Sequence, residues 1–270
     1  MKPRDYFALS LLFAFAAFIW LRDPAWIAAA DETLPILAGL PLFIWLGAPW
    51  RFRTEVLNCH APALVLAGIM LVLGVATNLT LLLTISWTAA LWSWLQPRTE
   101  LSSGIRMRQL LVLPILAFPW LLLDFPQLGW WCRLSAAWTA EHVFHSVGFE
   151  VARQGTQLVV QGLPIDITPA CSGLRALQAM LIAGVTMAFL QLGGRRTYWW
   201  GLATLPLLAW VANTARVLVI SVVALSFGPE FAGGWFHEVG GWCVLAAMFA
   251  LCGLAFSICR KYLKPKLAQG

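Results

Sequence analysis

Residues 198–226 read YWWGLATLPLLAWVANTARVLVISVVALS, and this stretch sets how the rest of the chain is read. It is almost wholly apolar and longer than the roughly 20 residues a helix needs to cross a bilayer. Its one charged residue is Arg216. A guanidinium inside hydrocarbon is costly, so such a residue marks a functional site by default. Counted from Tyr198 at one face, a rise of roughly 1.5 Å per residue carries Arg216 about 27 Å across. The hydrocarbon core is about 30 Å thick, so Arg216 is expected near the opposite boundary. Asn213, three residues earlier, shares its face. The bland alternative is an arginine that only snorkels to headgroups.

Similar apolar stretches recur at about 6–21, 34–50, 61–76, 79–96, 110–124, 173–192 and 239–258. Composition agrees, with 60% hydrophobic and 11% charged residues, whereas soluble domains carry about 25% charged residues. A soluble fold of 270 residues has too little interior to hide so much apolar surface. Sixteen tryptophans, several at the ends of these stretches (Trp50, Trp92, Trp130, Trp131, Trp199, Trp200), suit an interfacial aromatic belt. The expected fold is an all-α polytopic membrane protein with about eight transmembrane helices. It forms a single integral-membrane domain, with a four-helix part at 1–97 and the part carrying chemistry at 98–270.

The net charge of +6 calls for no nucleic-acid partner, because the basic residues sort by side. With the N-terminus in the cytoplasm, Lys2, Arg4, Arg51, Arg53, Arg98, Arg106, Arg108, Arg195, Arg196, Arg260, Lys261, Lys264 and Lys266 all fall on the cytoplasmic side. Only Arg22, Arg133 and Arg153 are left for the outer loops. The positive-inside rule then puts both termini in the cytoplasm of a multi-pass inner-membrane protein. Ala28-Ala29-Ala30 resembles the end of a cleavable signal peptide, but Arg22 and Asp23 separate it from the apolar run.

The other connections are short, but about 45 residues separate the fifth and sixth stretches on the outer side, and long structured loops are usually functional. Phe125 to Val147 interleaves Trp, Leu, Val and Phe with Arg133, Glu141, His142 and His145, which predicts an amphipathic helix in the interface. Phe149 to Ile167 sets Val151, Leu158, Val159, Val160 and Ile165 among Gly155, Gly162 and Pro164, which predicts a short β-hairpin.

The chain then runs through Pro169-Ala170-Cys171-Ser172-Gly173 into the sixth helix. Unpaired N–H groups and the positive end of a helix dipole favour a thiolate at Cys171. Arg175, four residues on, adds charge on the same face. A disulfide between Cys132 and Cys171 is the alternative in an oxidising compartment. Cys59, Cys252 and Cys259 read as small packing residues. His237 follows Gly233-Gly234 and precedes the last helix, again on the outer side. Three segments thus bring a nucleophile, a guanidinium and an imidazole to one membrane face. The thiolate attacks a carbonyl, the imidazole exchanges protons near neutral pH and the guanidinium stabilises an oxyanion.

The string Pro169-Ala170-Cys171-Ser172-Gly173-Leu174-Arg175 resembles the nucleophile motif of the exosortase/archaeosortase family. Asn213-Thr214-Ala215-Arg216 resembles that family's later Asn-x-x-Arg motif, and His237 stands where exosortases place a histidine. The likeness covers roughly residues 100–258. It implies a cysteine transpeptidase that cleaves a C-terminal sorting signal (a short motif such as Pro-Glu-Pro, a transmembrane helix and a basic cluster) on membrane-anchored protein substrates. By this resemblance Cys171 forms a thioester, Arg216 orients the thiolate or holds the oxyanion, and His237 is the acid/base. Asn213, Arg175 and Ser172 support them, an amine acceptor resolves the acyl-enzyme, and no cofactor is implied.

Three other readings compete. Glu141, His142 and His145 with His237 are candidate zinc ligands, although the HExxH pattern is absent. A transporter would use Arg216 and Asn213 to bind an anion, but the internal repeat common in transporters is missing. A catalytically dead assembly factor would hold a sorting signal without cutting it.

Overall fold

The computed structural model describes residues 3–27, 30–53, 61–99, 105–167 and 174–262. They are largely helical, with one small sheet, and fall into two compact units.

The first unit comprises residues 1–124 and 188–199. It holds α1 (Pro3–Leu21), α2 (Ala30–Leu37), α3 (Gly39–Gly47), α4 (Ala61–Thr77), α5 (Thr80–Leu95), α6 (Ile105–Leu110), α7 (Val112–Leu116) and α8 (Trp120–Asp124). Two stretches expected as single helices are interrupted. Between α2 and α3 the break is one residue wide, at Ala38. Pro41 removes a donor and crowds the carbonyl of Leu37, yet the bonds Ala38 N–H to Leu34 O and Leu42 N–H to Ala38 O carry the chain across. The 110–124 stretch is divided more thoroughly, into α6, α7 and α8, because Pro114 and Pro119 each disrupt the turn before them. The freed carbonyl of Ile115 accepts the Trp120 indole N–H at 2.7 Å.

Helices α4 and α5 form an antiparallel hairpin. Ala63, Ala67 and Gly74 make the buried stripe of α4, and small residues of this kind let two apolar helices approach closely. A methyl group at Gly74 would meet Leu83, and Ser86 donates to the Ala67 carbonyl at 2.8 Å. Asn78 turns the chain with φ of 61°, a left-handed conformation asparagine tolerates. Asp124 then caps α5, accepting the N–H groups of Thr80 and Leu81 at 2.9 and 2.6 Å.

The second unit comprises residues 125–187 and 200–270. The stretch expected to form an interfacial helix is helical, α9 (Pro126–Ser146), with proline at its start where no N–H is missed. Gly129, Ala136, Ala137, Ala140 and Phe144 are buried along one stripe. Trp130, Trp131 and Trp138 are exposed, with His142 and His145 outside the buried stripe too. The expected hairpin gains a third strand. The sheet is an antiparallel meander of β1 (Val151–Gln154), β2 (Gln157–Val160) and β3 (Leu163–Asp166). Gln161 and Gly162, with φ of 53° and 79°, make the two-residue turn that matches strand twist. Pro164 had argued for a turn, but an edge strand accommodates a residue without an N–H.

Helices α10 (Leu174–Leu192), α11 (Thr197–Phe227), α12 (Pro229–Gly233) and α13 (Trp235–Tyr262) complete the chain, and the two units divide α10 and α11 between them. Among the described residues, α11 is the helix both long and apolar enough to cross a membrane. Shorter apolar helical segments lie at Asp5–Leu21, Thr33–Gly47, Ala61–Thr77, Thr80–Leu95, Leu177–Leu192 and Phe249–Ile258.

Candidate active site

The core of the second unit is built around α9, the sheet and α11. Ala136, Ala137, Ala140 and Phe144 of α9 cluster with Leu158 and Val160 of β2, with Ile167 and with Val217 of α11. Alternation along β2 explains why Leu158 and Val160 share the buried face. Two polar contacts pin the arrangement. Trp210 of α11 donates its indole N–H to Ser135 Oγ on α9 at 2.9 Å, and Arg153 of β1 pairs with Glu141 of α9, Nε to Oε2, at 2.7 Å.

Arg216 lies in this part of α11, beside Val217, and is only 5% exposed; Asn213 is 6% exposed. Four hydroxyls along α11 are answered within the helix. Thr204, Thr214, Ser221 and Ser226 donate to the carbonyls of Gly201, Trp210, Val217 and Val222, the usual settlement for short polar side chains in apolar helices. Asn213 differs. Its Oδ1 is buried and meets no donor among the described residues, at a cost of about 1–3 kcal/mol for an unanswered buried acceptor.

Cys171 and Ser172 lie outside the described residues. The chain is described up to Ile167, inside the α9–sheet–α11 cluster, and again from Leu174, where α10 begins. Arg175 is the second residue of α10 and is described by its backbone. His237 was expected ahead of the last helix. The structure starts α13 at Trp235, so His237 is its third residue and sits in the first turn. Gly234 separates it from α12. Among the described side chains, Asn213 and Arg216 are the site residues brought together, one helical turn apart.

The remaining candidates have other engagements. Cys132 is a free thiol among the described residues, and burial pushes its pKa up from the ordinary thiol value. That disfavours the nucleophilic thiolate. Among the described residues no three His, Cys, Asp or Glu side chains gather as metal ligands. Glu141 is committed to Arg153, and His142 donates Nδ1–H to the Trp138 carbonyl at 2.8 Å. Sequence reasoning did not single out Trp210 or Ser135. The available signal was an indole N–H inside an apolar helix, which needs an acceptor from another element.

The sequence model describing transmembrane exosortases matches residues 3–254. The chain belongs to the transmembrane exosortase family. The match runs through the first four helices, well beyond the region where motif likeness had been visible. Membership makes this exosortase a membrane protein of a family of peptidases and transpeptidases acting on secreted proteins with C-terminal sorting signals. No curated protein and no solved structure matches the chain.

Proposed function

We propose that this exosortase is a multi-pass cysteine transpeptidase of a bacterial inner membrane, working at the outer face on membrane-anchored proteins that end in a Pro-Glu-Pro-type sorting signal. The Cys171 thiolate adds to the scissile carbonyl carbon, and Arg216 stabilises the resulting oxyanion. Collapse breaks the C–N bond, His237 protonates the departing amine, and a Cys171 thioester remains. An acceptor amine then adds to the thioester, gives up a proton to His237 and expels the thiolate. Water competes as acceptor. Arg175, Asn213 and Ser172 hold the reacting groups.

The observation that carries this reading is the buried pair Asn213 and Arg216 on the membrane-crossing helix of a chain in the exosortase family. Asn213 keeps an unanswered acceptor among the described residues, as a residue reserved for substrate or for the Cys171 segment would. Ile167, four residues before Cys171, packs in the cluster that includes Val217, next to Arg216. Four residues reach at most about 14 Å, so the segment starts within chain's reach of that cluster.

The test uses intact spheroplasts and a co-expressed membrane protein bearing such a signal. Cys171→Ala should lower processing more than about a thousandfold while membrane insertion stays normal. A membrane-impermeant thiol reagent should label Cys171 quickly at neutral pH, and more slowly in Arg216→Ala or His237→Ala backgrounds. Unchanged processing by Cys171→Ala would refute the mechanism, and absence of labelling would remove Cys171 from the outer face.

A further inference from the structure

The count of basic residues by side leaves Arg22, Arg133 and Arg153 for the outer loops. Two of them are engaged. Arg22 donates to the backbone carbonyl and the side-chain oxygen of Asn78, and Arg153 donates to Glu141 and to the Gly155 carbonyl. Arg133 of α9 makes no hydrogen bond or ion pair among the described residues. Its Nε is covered and meets no acceptor, whereas the two Nη groups at the tip of the side chain remain accessible. The acids of the second unit do not answer it. Glu141 is held by Arg153, and Glu150, Asp166 and Glu230 are exposed, with no ion pair to Arg133 among the described residues.

The place of Arg133 on α9 gives this charge a direction. Gly129 and Ala137, four residues to either side, and Ala140, seven on, belong to the buried stripe of the helix. Arg133 therefore continues the stripe that packs on the sheet and on Val217, and none of these neighbours has a side-chain acceptor to offer. At about 100° per residue, the exposed Trp131 and Trp138 fall on the far side of the helix. An arginine that only reached for headgroups belongs among those tryptophans. Two residues on, Ser135 accepts the Trp210 indole N–H at 2.9 Å, which ties this turn of α9 to α11. Asn213, with its own unanswered acceptor, is one turn beyond Trp210. Arg133 thus sits on the turn of α9 that is joined to the stretch of α11 holding Asn213 and Arg216.

A half-covered guanidinium is costly unless an anion answers it, and its planar fork matches a carboxylate through two parallel N–H···O bonds. We propose that Arg133 is a specificity-determining residue, binding the glutamate carboxylate of the Pro-Glu-Pro-type signal through its Nη groups. This rests on the transpeptidase reading above, in which that signal is the substrate. A polyproline segment has three residues per turn, so the glutamate projects in a different direction from the two prolines and is read separately from them. Arg133 makes and breaks no bond. By holding the carboxylate it fixes where the neighbouring peptide lies against α9 and α11, and it rejects signals of the wrong charge.

Pulse–chase processing of a co-expressed membrane-anchored substrate carrying Pro-Glu-Pro, Pro-Gln-Pro or Pro-Lys-Pro tests this in the full chain. The unaltered chain should process the glutamate signal about tenfold to a hundredfold faster than the glutamine signal, the range for a hydrogen bond to a charged group. Arg133→Gln should erase that difference by slowing the glutamate signal alone, its unchanged rate on the glutamine signal showing that the variant folds. Arg133→Glu should reverse the preference and favour lysine over glutamate. Equal rates on glutamate and glutamine signals in the unaltered chain would overturn the proposal. So would equal slowing of both signals by Arg133→Gln, which would make Arg133 an anchor for the fold or for a lipid phosphate, and so would a preference for glutamate kept by Arg133→Glu. Cys171→Ala separates this inference from the mechanism. If it abolishes processing while Arg133 variants show no charge preference, the chemistry stands and the assignment of Arg133 falls. If processing survives Cys171→Ala, the mechanism falls and takes this inference with it.

Discussion

Two buried amide side chains, Gln109 in the first unit and Asn213 in the second, are treated differently. In the first, long side chains are spent on the backbone of distant segments. Gln109, fully buried, donates Nε2–H to Arg195 O and accepts Gly194 N–H, both at 2.7 Å, while its own carbonyl accepts Tyr198 Oη–H at 3.0 Å. Asp124 caps α5, and the indoles of Trp20 and Trp87 donate to Ala117 O and Leu12 O. In the second unit Asn213 is just as hidden, yet its acceptor meets no donor among the described residues. A polar group that closes a turn is structural. One left open in an apolar helix, a turn from a buried arginine, raises the internal cost of the fold and so points to a partner outside it.

That contrast separates variants by what they damage. The largest effect is expected at Arg216. Arg216→Met keeps side-chain length and removes the charge, and processing should fall about a hundred- to thousandfold if the guanidinium serves an oxyanion. The melting temperature in detergent should fall far less than processing does, because the guanidinium is assigned to the reacting oxyanion rather than to holding the fold. Equal loss of stability and processing would make Arg216 a structural residue.

Next comes the pair that opposes the two units. Gln109→Leu strands the Gly194 N–H and the Arg195 carbonyl, costing about 2–3 kcal/mol, or some 5–10 °C in melting temperature for a chain of this size. Asn213→Leu removes an unanswered acceptor, so the melting temperature should hold or rise while processing drops about tenfold. Thermal unfolding of both purified variants beside a processing assay decides it. If Asn213→Leu unfolds as readily as Gln109→Leu, the two asparagine and glutamine sites do the same job. The smallest effect belongs to Trp210→Phe, which gives up the bond to Ser135 but keeps the ring. A loss of about 1 kcal/mol is expected, with processing reduced no more than the stability change requires.

Much of the fold was legible because hydropathy is local. Helices α1, α4, α5, α10 and α11 start or stop within a few residues of where apolar runs said they would, and α9 occupies the stretch read as an interfacial helix. What escaped was also specific. The division of residues 110–124 turns on Pro114 and Pro119, whose effect on a helix hydropathy counts do not register. The third strand hid behind Pro164, and His237 was placed ahead of a helix that in fact begins two residues before it.

The candidate site divides in the same way. Sequence alone determined that Cys171, Asn213, Arg216 and His237 stand in an order matching one family, because motif chemistry is written in adjacent residues. It also determined that Arg216 needs a reason to be where it is, because the hydrocarbon penalty for a charge does not depend on the fold. Only the tertiary structure decided that Asn213 Oδ1 is buried without a donor among the described residues, that Ile167 and Val217 share one core with α9, and that Trp210 meets Ser135. Those facts depend on contacts between segments far apart in the chain, and no periodicity or composition within either segment specifies which partner the other will supply.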